Sequence, residues 1–155
     1  NPYKQVLFIK SSILVTKSIE YAETLHNIAT LYSKNDSNQK ALTTHIEANE
    51  ILKKYFNERN NRMVISLFNI ACTNSKLKND SVAKNQFVKV ISLSLENIRD
   101  QFSVLSEKEK AQYLNSLSIQ FDTFYLFALK SKKNNPNITN DVYNTILKTK
   151  CLLLK

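Results

Sequence analysis

The chain contains no glycine and no tryptophan, only two prolines and only two cysteines. Without glycine there is no residue that takes positive φ at no cost. Phosphate-cradling loops, dinucleotide fingerprints, nucleophile elbows, collagen repeats and most tight-turn β architectures are therefore excluded or strongly disfavoured. Two cysteines 79 residues apart, Cys72 and Cys151, with no CxxC pair, make no disulfide framework and no thiolate metal site. They read as reduced thiols, which points to the cytoplasm. Apolar runs stop after a few residues (Val6–Ile9, Cys151–Leu154), far below the roughly 20 residues of a membrane span, and no signal-peptide core is visible.

What is present is ordinary for a globular chain: 155 residues, 43% hydrophobic and 23% charged. Lysine and arginine outnumber aspartate and glutamate 22 to 13, a net charge of +9. This invites a nucleic-acid reading, but the lysines are scattered. The densest group, Lys130, Lys132 and Lys133, falls in a stretch from Lys130 to Pro136 that reads as a loop, and a solvated basic surface accounts for it. The sequence begins Asn1-Pro2 without an initiator methionine and ends on an apolar helical stretch, so it reads as cut from something longer.

Internal repetition organises the chain. Shifting the sequence by 42 residues aligns 22–51 with 64–93 and gives seven identities in thirty positions: Leu25/Leu67, Asn27/Asn69, Ile28/Ile70, Ala29/Ala71, Ser33/Ser75, Lys34/Lys76 and Ala41/Ala83. Each copy reads as a helical hairpin. Leu25, Ile28, Ala29 and Tyr32 recur at i, i+3, i+4 and i+7. A polar break follows from Ser33 to Asn38, and a second stripe then carries Ala41, Leu42, His45, Ala48, Ile51 and Leu52. The second copy repeats this with Leu67, Ile70 and Ala71, a break at Lys78–Asp80, and then Ala83, Phe87, Val90, Ile91 and Ser94. The recurring alanines sit where two antiparallel helices must come close.

These positions resemble tetratricopeptide repeats, with Leu25, Ile28-Ala29, Tyr32, Ala41, His45 and Ala48 in the pattern of the first copy and Leu67, Ile70-Ala71, Asn74, Ala83, Phe87 and Val90 in the second. The 42-residue period is similar to the longer kinesin-light-chain type of repeat. The departures are alanine for the usual glycine of the first helix, a missing turn glycine and no closing proline. The resemblance implies an all-α superhelix of antiparallel helix pairs with about seven helices. In that frame, 1–18 is the second helix of a truncated repeat, 19–60 and 61–102 are repeats, and 103–155 holds two C-terminal helices. Residues 3–16 carry an apolar face, Val6, Leu7, Ile9, Ile13 and Leu14, through which self-association is expected.

Past residue 94 the repeat signal fades while the helical one persists. Ser106-x-x-Glu109 is a capping box opening a long helix with the stripe Tyr113 or Leu114, Leu117, Phe121, Phe124 or Tyr125, and Ala128. Thr139, Asn140 or Asp141 is expected to cap a last helix whose stripe is Val142, Tyr143, Ile146, Leu147, Lys150, Leu153 and Leu154. The phrases from Phe102 to Lys110, at Tyr113-Leu114, and from Tyr143 to Leu154 resemble the helices that join tetratricopeptide repeats to a CHAT domain, the caspase-like peptidase module of bacterial proteins.

Chemistry-bearing residues are few. His26, His45, Cys72 and Cys151 are the only parts for a thiol–imidazole dyad, and all fall on helices, without the strand–loop setting an exposed nucleophile uses. No catalytic residue is assigned. Glu23 and His26 at i, i+3 are a weak metal signal, and His45 takes a core aromatic position; no metal and no cofactor are expected. What the resemblance implies is a peptide groove lined by the first helix of each repeat. The lining positions beside the packing stripe are Glu23, His26, Asn27, Thr30, Ser33 and Lys34 in one repeat and Ile65, Phe68, Asn69, Cys72, Ser75 and Lys76 in the next. Carboxamides at Asn27 and Asn69 can clamp the backbone of an extended peptide, and Lys34 and Lys76 would favour an acidic one. The competing reading of the asparagines is bracing between repeats, in a chain that holds 19 of them. The expected function is a non-catalytic protein-interaction scaffold regulating an attached peptidase; the alternative is a basic helical array that binds nucleic acid. No membrane partner is expected.

Overall fold

A computed structural model describes residues 18–102, 104–133 and 135–153, and it is all-α. Six helices lie among the described residues: α1 (Ile19–Lys34), α2 (Asn38–Leu52), α3 (Asn61–Lys76), α4 (Asp80–Phe102), α5 (Glu107–Ser131) and α6 (Ile138–Leu153). The helix expected over 3–16, with its self-association face at Val6, Ile9 and Ile13, lies outside the described residues.

The 42-residue frame is written into the helix boundaries. Ile19 and Asn61, Lys34 and Lys76, and Asn38 and Asp80 are each separated by that interval. The caps keep it too. Ser18 accepts the Tyr21 N–H at 3.2 Å and Asn60, 42 residues on, accepts the Arg62 N–H at 2.9 Å, each satisfying a donor that the first turn leaves free. At the other end, Asp36 (φ 54°) and Lys78 (φ 60°) share one frame position and are the positive-φ residues of the described chain. A helix that closes on a left-handed residue ordinarily uses glycine there. This chain has none. Ser37 N–H reaches back to Tyr32 O at 2.9 Å, and Lys78 N–H to Ser75 O at 3.1 Å, so both ends close in the glycine manner with a side chain in place.

The chain divides into two compact units, Asn1–Lys78 and Asn79–Lys155, so the second repeat gives α3 to the first unit and α4 to the second. In the first unit, Ala22, Ala29, Ala41 and Ala48 are fully buried, as the close approach of α1 and α2 requires. Leu25, Ile51, Leu52 and Met63 cluster with Ala22 and Ala48, and Ile19, Tyr21 and Phe56 pack against them. Asn49 Nδ2 donates to Ser66 Oγ at 2.9 Å, a buried tie between α2 and α3.

The second unit is built on aromatics. The Phe87 ring, fully buried, lies 5.0 Å from Phe127 and 6.2 Å from Phe124, joining α4 to α5. Ser94 Oγ donates to Gln120 Oε1 at 2.8 Å between the same helices. The capping box forms: Glu109 N–H donates to Ser106 Oγ, and Ser106 Oγ and N–H both donate to Glu109 Oε2 (2.6 and 2.9 Å), which holds the Glu109 carboxyl below its usual range.

Three expectations are corrected here. Lys130 is not in a loop, because α5 runs on to Ser131. Thr139, Asn140 and Asp141 do not cap the last helix but lie within its first turn, since α6 begins at Ile138. The stripe of α6 does not pack inward as a whole: Tyr143, Ile146 and Leu147 are exposed, while Ile138 and Thr145 are buried. Threonines can take the inward side because Thr145 and Thr149 hydroxyls donate to the carbonyls of Asp141 and Thr145, both at 2.8 Å.

Candidate functional site

The expected groove residues all lie in the first unit, on α1 and α3, and two polar rungs hold these helices parallel. At their N-terminal ends Arg62 Nη1 meets Glu23 Oε1 at 2.6 Å, and at their C-terminal ends Lys76 Nζ donates to Ser33 Oγ at 2.7 Å and to Ser33 O at 3.4 Å. The second rung puts an ammonium on the carbonyl end of α1, where the helix dipole favours a cation. Lys76, expected as a free positive rim beside Lys34, is thus engaged by α1, and Lys34 is exposed.

Between the rungs lie Asn27 and Thr30 on α1, both exposed, and Phe68, Asn69 and Cys72 on α3, all half-buried, with Ile65 beside them at 44% exposure. Thr30 spends its hydroxyl on His26 O at 2.9 Å. Among the described residues, the side chains of Asn27 and Asn69 have no hydrogen-bond partner. Each therefore keeps an acceptor and two donor hydrogens available. Ser75 is half-buried on the last turn of α3. The two rows differ in character: α1 presents polar side chains, whereas α3 adds Ile65, Phe68 and Cys72 around its asparagine.

The structure takes His26 out of the row. Its ring turns into the α1–α2 hairpin, where Nδ1 lies 2.8 Å from His45 Nδ1, with centroids 5.1 Å apart and planes tilted by 38°. His45 is 3% exposed, as a core aromatic position requires. Burial pushes both imidazoles down to about 4, and for His45 the neighbouring His26 adds to the effect, so the pair is neutral at physiological pH. One Nδ1 must then donate and the other accept. His26 Nε2 is buried without a partner. A bare ring nitrogen is cheaper to bury than an unmatched N–H, which puts the proton on His26 Nδ1 and makes His26 the donor.

Sequence reasoning missed this pairing, although a signal existed. His26 is nine residues before Asn35 and His45 nine after Asp36, so an antiparallel hairpin turning at Asn35–Asp36 brings them level. The pairing has a chemical consequence. With Nδ1 committed, neither histidine presents that nitrogen to a thiol. Burial also pushes the Cys72 thiol up to about 11, away from the thiolate a nucleophile needs. Cys151 is exposed on α6, in the second unit. Among the described residues no group of three or more histidine, cysteine, aspartate or glutamate side chains could hold a metal ion, and no described helix is long and apolar enough to cross a membrane.

No protein-family model matches the chain, and no curated protein matches it.

Proposed function

We propose that this chain is a protein-interaction scaffold of tetratricopeptide type that holds an extended peptide or protein segment against α1 and α3. The observation that carries the reading is the equivalence of Asn27 and Asn69. They are 42 residues apart, on corresponding turns of the first helix of each copy, between two rungs that link those helices, and among the described residues neither carboxamide has a hydrogen-bond partner. Carboxamides so placed serve the backbone of a peptide irrespective of its sequence. Ile65 and Cys72 offer an apolar side to one helix of the row, and exposed Lys34 favours an acidic segment. The role in regulating a caspase-like peptidase of the same protein rests on the resemblance of the 102–154 phrases.

The test is affinity selection of peptides from a random display library against the chain, followed by titration of the selected peptides with an Asn27→Ala/Asn69→Ala variant. Loss of two carboxamide clamps is expected to weaken binding about tenfold or more at unchanged folding. Peptides that bind the double variant as well as the parent would overturn the site. Tight binding of a generic single-stranded oligonucleotide, falling steeply with salt, would favour the nucleic-acid reading instead.

A further inference from the structure

We infer that the outward face of α6 docks an acidic amphipathic helix of a partner protein. This face lies in the second unit, so the inference stands apart from the Asn27/Asn69 reading.

α6 is mounted back to front by the usual hydrophobic rule. Ile138 (1% exposed) and Thr145 (7%) face the unit, while Tyr143 (61%), Ile146 (38%) and Leu147 (42%), at i, i+3 and i+4, face away from it. At 100° per residue, Lys150 and Cys151 continue the same stripe one turn further, and both are exposed. The inward side is held by Ile138 and by the Asp141–Lys84 pair, its threonines satisfy their hydroxyls on their own helix, and the larger apolar side chains are left outside.

The charges choose the occupant. The helix carries one carboxylate, Asp141, and Lys84 of α4 holds it at 3.1 Å. Of the remaining charges, both positive and exposed, Lys150 lies on the stripe and Lys148 on the flank toward α4. The free surface of α6 is therefore apolar and cationic, complementary to a helix whose leucine seam is bordered by glutamates. A second copy of this chain fits poorly, because pairing the stripe of α6 with itself leaves Lys150 of each copy without a carboxylate. A lipid surface fits poorly as well. Ile146 and Leu147 are less than half exposed and form a shallow side that another helix can cover. Insertion needs apolar side chains that stand clear of the helix they sit on.

Cys151 makes the test local. It is exposed on the stripe, whereas the half-buried Cys72 thiol is held up near 11 and reacts slowly, so alkylation reports α6. The probe is a synthetic helical peptide of roughly 18 residues with leucine at i, i+3, i+4 and i+7 and glutamate elsewhere. Saturating peptide should slow iodoacetamide alkylation of Cys151 at least about fivefold, and Leu147→Asp should weaken peptide binding about tenfold. Lys150→Glu should do the same and should regain affinity for the peptide with lysine in place of glutamate, which keeps the test decisive if Leu147→Asp fails to fold. Four results would each overturn the inference: no binding; binding that leaves Cys151 unprotected; protection by phosphatidylglycerol vesicles but not by peptide; or protection by self-association alone.

Discussion

The two units meet the same problem, burying helices without glycine, in opposite ways. The first packs small residues and ties its helices with polar bonds: five fully buried alanines, the His26–His45 pair, Asn49–Ser66, and the Glu23–Arg62 and Ser33–Lys76 rungs. The second packs large rings and leaves apolar surface outside. Of the eleven exposed large hydrophobics among the described residues, eight lie in the second unit, on α4 at Val82, at Val104, and along α5 and α6. One frame position condenses the contrast. His45 in α2 and Phe87 in α4 are 42 residues apart and both buried, one as a hydrogen-bonding ring and the other at the centre of a phenylalanine cluster. A polar tie fixes one partner and one register, whereas an aromatic cluster contributes more burial energy and is less selective about what adjoins it.

Removing the aromatic side of this contrast has the largest expected effect. Phe87→Ala deletes a fully buried ring in contact with two others and should cost about 3–5 kcal/mol, enough to unfold the second unit preferentially. Hydrogen exchange resolves the units: amides of α5 should lose protection while those of α1 and α2 keep theirs. Equal loss in both would mean that the units do not fold separately.

Between pH 6.5 and 4, acid should weaken the first unit preferentially, since both histidines of the chain belong to it. In the folded unit each imidazole refuses a proton until about pH 4; in the unfolded chain it accepts one near 6.5. Between these values the unfolded state binds more protons, so stability is complete above pH 6.5 and falls as pH drops toward 4. By pH 5 each imidazole should cost about 2 kcal/mol, roughly 4 for the pair, read as earlier urea unfolding of α1 and α2 than at pH 7. His45→Phe copies the solution of the second unit but strands the His26 N–H, an expected loss of about 1–3 kcal/mol at pH 7. Adding His26→Phe, the residue type at position 68, should recover much of that loss and abolish the acid sensitivity. Acid sensitivity that persists in the double variant would place its origin elsewhere.

How far these features could be read in the sequence depends on how local their cause is. The helices, the capping box at Ser106 and the buried faces of α2, α4 and α5 follow from periodicity and cap chemistry, which act within a few residues. The start of α6 was misplaced by three candidate caps because none of Thr139, Asn140 and Asp141 was needed there. Asn49–Ser66 was illegible: nothing in either residue's neighbourhood says that two polar side chains 17 residues apart will find each other inside a core. Its expected cost, about 1–2 kcal/mol for Asn49→Ala, checks whether the tie is a net stabiliser or only excludes other packings. For the candidate face, the asparagine positions were legible from the repeat, but the pull of His26 into the hairpin and of Lys76 onto α1 depended on geometry across helices.

The smallest expected effect tests the repeat frame at its turns. Asp36 and Lys78 both adopt left-handed backbone, which costs a non-glycine residue about 1 kcal/mol, and aspartate less than most because its short side chain tolerates that region. Glycine would remove the strain but add entropy to the unfolded chain, a partly cancelling loss. The two substitutions should therefore differ. Lys78→Gly is expected to stabilise by about 0.5–1 kcal/mol, a rise of roughly 2–4 °C in Tm, and Asp36→Gly to change little. Since the two sites occupy one frame position with one backbone geometry, the difference isolates the side chain. A destabilised Lys78→Gly would show that this lysine does something at the turn beyond tolerating its φ, and that the two copies are equivalent in outline but not at their closing residue.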